Sequence, residues 1–188
     1  LVDEFNIYWM MTSGAYILGA LMFLGKVGVQ TALYFSRIVV GSLFVVSGLI
    51  KANDTLGFSY KLEEYFEPSA LGYMAEFWTY FYDYSLILSI VVSGAEVVLG
   101  LMLLFGVQTR WVAVKMLGLT IFFAWLTYYT ASCNDAQSLA LKAGEDFAQT
   151  CVNDCGCFGD ALRGSIGRSL TPWESFYKDL ALMFYVLL

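Results

Sequence analysis

The sequence predicts an all-α fold, an integral membrane helical bundle forming one domain over residues 1–188. Three observations carry that expectation. Hydrophobic residues make up 59% of the chain and charged residues only 14%, with a mean hydropathy of +0.66; a soluble domain carries roughly 25% charged residues. Runs nearly free of charge recur at the length needed to cross a bilayer, about 20 residues at 1.5 Å each. The 17 glycines and two prolines suit helices that pack closely on one another.

Taken in order, residues 5–25 are uncharged and read as a first span. Gly14, Ala15, Gly19 and Ala20 give it a small-residue face. It follows Asp3 and Glu4, lacks a small-residue cleavage site, and so reads as a helix that stays, not as a signal peptide. Residues 31–50 form the second span, with Arg37 about a turn and a half inside it, where arginine can snorkel to the headgroups. Residues 51–83 are a long acidic connection. Within it Tyr60, Leu62, Tyr65 and Phe66 share one face of a short helix expected to lie on the membrane until Pro68 ends it. The run 77–84 is an aromatic belt.

The third span is 85–105, interrupted by Glu96, and the fourth is 111–129, with Lys115 near its start. A second long connection, 130–170, holds all four cysteines. Thr171, Pro172 and Glu174 then form a helix start: a capping threonine, proline at the first helical position and an acid that completes a capping box. The last helix is apolar only from Leu180, so the given sequence is expected to stop inside the membrane. No Gly/Ser/Pro linker, low-complexity tract or internal repeat divides the chain.

Composition also excludes function classes. The net charge of −6 leaves no basic face for a nucleic acid. Histidine is absent, which removes His-ligated haem, His-containing zinc or copper sites and a Ser-His-Asp triad. Lys26, Arg37, Arg110 and Lys115 gather at the short turns, and the positive-inside rule puts those turns in the cytoplasm. The amino terminus and both long connections then face the opposite, oxidising side, where disulfides persist.

The chemistry-bearing stretch is 150–160, TCVNDCGCFGD. Cys155 and Cys157 are separated by Gly156 alone, and a disulfide in so small a ring is strained and labile. Cys151 lies four residues earlier, and Cys133 closes the preceding apolar segment. Four cysteines allow three pairings, so structural braces and a redox pair both stay open. A four-cysteine metal site is disfavoured, because 17, three and one intervening residues do not match paired two-residue gaps. Asp154 and Asp160 flank the Cys-Gly-Cys, and negative charge slows thiol attack. Arg163, Arg168 or Lys178 would offset it, although a solvated role is the simpler expectation for these charges and for Asp179. Glu96, alone in an apolar span, is a candidate proton carrier to a quinone; the plainer reading is a protonated acid bonded to Ser42, Ser47 or Thr120. Arg37 and Lys51 read as interface anchors.

Three stretches resemble a known family: the run from Ser36 to Phe66 beginning SRIVVGSLFVVSGLIKAND, GAEVVLGLMLLFG from Gly94, and DCGCFGDAL followed by LTPWESFYKDLAL. Together they are similar to the DoxX family of bacterial inner-membrane proteins, in the branch close to MauE and of the type found in Bacteroidetes. The resemblance covers about residues 31–188. It implies a four-helix membrane core, with residues 1–30 as an additional N-terminal transmembrane helix. It further implies a multi-pass protein of the bacterial inner membrane with the cysteine loop on the periplasmic side. By that analogy Cys155 and Cys157 would exchange disulfides with periplasmic thiol proteins, a membrane quinone being the acceptor. The chain departs from the pattern in its first helix, in an insertion at 134–149, and in Cys133 and Cys151, which would form a structural disulfide bracketing the insertion. Added elements often serve docking. A non-catalytic accessory subunit, bound to other subunits of a membrane complex, therefore stands level with the enzyme.

Overall fold

The computed structural model describes residues 7–25, 28–67, 75–144, 151–152 and 171–187, the side chains of 7–12, 19, 23 and 75–78 excepted. The described residues form helices and turns and no strand. In chain order the helices are α1 (Ile7–Phe23), α2 (Val29–Asn53), α3 (Thr55–Phe66), α4 (Ala75–Tyr82), α5 (Ser85–Phe105), α6 (Thr109–Ala143) and α7 (Pro172–Leu187). Of these, α2, α5 and α6 are long and apolar enough to cross a membrane. The chain is thus an all-α membrane bundle.

Glycine sets how the bundle closes. Helix α2 packs mainly on α5, and α6 on α7, with α1 laid along α7. At the α2–α5 crossing the backbones meet through Gly41, Gly48 and Gly100. A Cβ on Gly100 would stand 2.8 Å from the Gly41 carbonyl oxygen, and one on Gly48 would stand 2.9 Å from the Ser93 carbonyl oxygen. Small residues on a shared face are what allow two membrane helices this close. On α1, Gly14 leaves room for the Tyr185 hydroxyl of α7.

Two apolar clusters result. One gathers Phe58, Leu62, Tyr65 and Phe66 of α3 with Val92, Phe123, Leu126 and Val152. The other, toward the opposite end, includes Val40, Phe44, Leu99, Leu103, Val112, Met116, Leu182 and Tyr185. Helix α5 ends in a Schellman motif: Gly106 sits at φ 75°, its N–H donates to Leu103 O, and Val107 N–H donates to Met102 O. Helix α7 starts at its capping box, with Thr171 N–H donating to Glu174 Oε2 at 2.8 Å and Glu174 N–H to Thr171 Oγ1 at 3.4 Å.

Three expectations need correction. Helix α3 does not lay its aromatic face on lipid: Leu62, Tyr65 and Phe66 are buried in the bundle, while Tyr60 points away. An amphipathic helix has the same periodicity whichever apolar surface it meets. The 130–170 connection is also shorter than the sequence implies, because α6 continues through Ser138 and Leu141 to Ala143 before Gly144 closes it at φ 74°. Polarity rises after Tyr129 and residues 132–135 are weak helix formers, but the alanine, leucine, glutamine and lysine residues of 136–143 are strong ones. Finally, Arg37 is half-buried and donates to Leu103 O and Leu104 O at 3.3 and 3.4 Å, so it caps α5 across the bundle instead of only anchoring α2.

Candidate functional site

Between the two clusters lies a layer of charge. The close crossing of α2 and α5 brings Lys51 against Glu96. Lys51 Nζ donates to both carboxylate oxygens at 2.8 Å and to Ser47 Oγ, one helical turn back, at 2.7 Å. Both side chains are almost sealed, at 1% and 3% exposure. The ammonium also stands 4.7 Å from the Phe123 ring centroid and 5.5 Å from that of Phe58, so aromatic faces replace the water it lost.

Helix α7 supplies a second pair. Lys178 Nζ meets Asp179 Oδ1 at 3.0 Å with both side chains equally buried, and Thr127 Oγ1 of α6 donates to Asp179 Oδ2 at 3.3 Å. Lys51, Glu96, Lys178 and Asp179 line one cavity of about 30 Å³, with Ser47, Thr120 and Phe123 completing its wall. That volume holds about one water. Each carboxylate also feels the lysine of the other pair. Two positive and two negative groups from three helices thus form one network in the interior of the bundle. Ionisable groups at such depth are costly and mark functional positions by default.

The sequence singles out Glu96 and, in Ser47, one of its hydrogen-bond partners, but not its charged ones. Ser42 and Thr120 do not reach it; they bond back to Ile38 O and Met116 O of their own helices. Lys51, expected at the interface, is 3% exposed and is the counter-ion. Lys178 and Asp179, expected to be solvated, are 4% and 2% exposed. The available signal was complementary: an acid in one apolar span, a lysine at the end of another, and Lys178-Asp179 beside the apolar run from Leu180.

Above this layer, Cys133 of α6 and Cys151 are joined as a disulfide, with 5.7 Å between Cα atoms. The returning chain is held again at the next residue, since Val152 is buried in the α3 cluster and its carbonyl accepts from Asn134 Nδ2 at 3.4 Å. Trp173 at the start of α7 donates to Asp135 Oδ2 at 2.9 Å and packs in an aromatic group with Tyr128, Phe176 and Tyr177. The end of α6, Cys151–Val152 and the start of α7 therefore form one surface. Cys155, Cys157, Asp154, Asp160, Arg163 and Arg168 lie outside the described residues. A bonded Cys133–Cys151 pair takes two sulfurs out of any four-cysteine metal site.

A family model described as Methylamine utilisation protein MauE matches residues 29–138. The matched segment runs from α2 into the extension of α6, so it contains Lys51, Glu96 and Cys133, while α1, α7 and the later cysteines fall outside it. No curated protein and no solved structure matches the chain.

Proposed function

The chain belongs to the MauE family, and on that premise we propose that it is a DoxX-like, multi-pass protein of the bacterial inner membrane whose Cys155 and Cys157 exchange disulfides with periplasmic thiols. One observation carries the reading. With Cys133 bonded to Cys151, the remaining two of the four cysteines are the closely spaced pair. In each turnover two partner thiols become a disulfide while the Cys155–Cys157 disulfide becomes a dithiol, two electrons and two protons moving with it. Restoring the pair requires a two-electron acceptor, for which a membrane quinone is the chemical class.

The charge layer does not fit a quinone ring, since its cavity is about 30 Å³. Its role in this reading is limited to holding or passing a proton at Glu96, with Lys51 as fixed counter-ion. No electron passes through it.

The test is differential alkylation of the full chain in liposomes, with a reduced dithiol peptide outside and a short-chain quinone added. Cys155 and Cys157 are expected to become alkylatable after peptide addition and protected again after quinone. Cys155→Ser and Cys157→Ser should each stop peptide oxidation. Undiminished oxidation in both variants, or a pair that stays oxidised with the peptide, rules the reading out.

A second reading has its own support. Helix α1 lies outside the family match, packs on α7 and leaves Tyr16 and Ile17 exposed. That arrangement suits an accessory subunit docked through α1 in a membrane complex. Deleting residues 1–28 would then abolish co-purification of the complex without affecting any thiol chemistry.

A further inference from the structure

The end of the bundle opposite the disulfide contains a larger cavity, about 470 Å³, between the start of α2, the end of α5, the start of α6 and the end of α7. That is within the range of small-molecule sites. Its wall is apolar at Val40, Leu103 and Met116, and cationic at Arg37 and Arg110, with no acidic side chain among the described residues that line it. Arg37 uses two of its five N–H donors on the α5 carbonyls. Ser36 also lines it; the residue is 3% exposed, and its hydroxyl has no hydrogen-bond partner among the described residues. A helical serine ordinarily bonds to a carbonyl of the preceding turn, as Ser42, Ser93 and Ser132 do here. A buried hydroxyl left unmade costs about 1–3 kcal/mol, so an acceptor inside the cavity would relieve it.

We propose that this cavity is a binding site for an anionic phospholipid: its phosphate sits between Arg37 and Arg110, an ester oxygen accepts from Ser36, and an acyl chain lies along Val40, Leu103 and Met116. The charge is one-signed, which selects an anion. Arginine presents a planar fork of donors suited to phosphate. The apolar wall selects an amphiphile over a small ion. Depth agrees as well, because the exposed Trp111 beside Arg110 is the kind of residue that sits at headgroup level. The site lies away from the cysteines and does not depend on the redox reading.

Thermal unfolding of the full chain in detergent tests it, with phosphatidylglycerol, phosphatidylcholine of the same chains, or inorganic phosphate added at equal concentration. Phosphatidylglycerol should raise the midpoint progressively to saturation, and native mass spectrometry should show one lipid retained per chain. Arg110→Gln should weaken apparent phosphatidylglycerol affinity about tenfold, and Ser36→Ala about fivefold. Arg110 is exposed and, among the described residues, makes no hydrogen bond or ion pair with another helix, so the variant leaves the fold intact. Equal shifts from both lipids, the same shift from inorganic phosphate alone, or unchanged affinity in Arg110→Gln would each overturn the proposal.

Discussion

At the charge layer, Lys51 faces Glu96 and Lys178 stands against Asp179, every one of them at most 4% exposed. At the far end, Arg37 and Arg110 share a cavity roughly sixteen times larger and meet no acidic side chain among the described residues of its wall. Both places keep polar groups inside a membrane bundle, by opposite means. The layer is neutral, closed and satisfied by its own helices. The arginine end is open, and among the described residues it is one-signed and leaves Ser36 unsatisfied. A neutral closed network has little to gain from a ligand, whereas an uncompensated open one does. The comparison separates a place built to hold charge from a place built to receive it.

The difference predicts how each place responds to loss of a charge. The largest effect is expected at the layer. Lys51→Met strands Glu96 and should cost about 3–5 kcal/mol of stability, read as a lowered thermal midpoint in detergent. Adding Glu96→Leu to it should recover most of that loss. A double variant as unstable as the single one would mean that the pair does more than neutralise itself. Next is the disulfide that pins the chain above the layer. Cys133→Ser with Cys151→Ser should cost about 3 kcal/mol for a closed loop of this length, and reductant should shift the variant's midpoint much less than that of the wild type. Gly100→Ala tests the crossing that brings Lys51 to Glu96. Its Cβ would press on the Gly41 carbonyl, and the strain should cost about 1–3 kcal/mol. The smallest effect is expected at the open end. Arg110→Gln should leave intrinsic stability within about 0.5 kcal/mol of wild type, despite removing a full charge.

The parts that were legible in the sequence are those coded locally. The third span, 85–105 by its sequence, is helix α5, Ser85–Phe105, because an apolar run bounded by tyrosine and glycine is a local signal. The capped start of α7 at Thr171 and Pro172 is likewise local. What was not legible depends on partners distant in sequence. The counter-ion of Glu96 is 45 residues away on another helix, so an unpaired acid was all that periodicity could show. Lys178-Asp179 at a helix start looks the same whether solvated or sealed against Thr127. The continuation of α6 past Tyr129 is hidden by a rise in polarity and by the weak helix formers at 132–135, which the stronger formers at 136–143 outweigh. Cysteine pairing is non-local by nature, and three pairings remained open until the fold brought Cys133 to Cys151.

The length of α6 also bears on which reagents reach the disulfide. Trp111 and Cys133 are 22 residues apart on one uninterrupted helix, about 33 Å at 1.5 Å per residue, close to the thickness of the hydrocarbon core of about 30 Å. With Trp111 at one boundary, Cys133 stands at the other, and only 6% of it is accessible. The protein itself screens this bond from the aqueous phase, and a bilayer boundary at that level would add to the screening. A reductant that partitions into the bilayer should open it faster than a charged one of equal potential, and a thicker bilayer should widen that gap in rate.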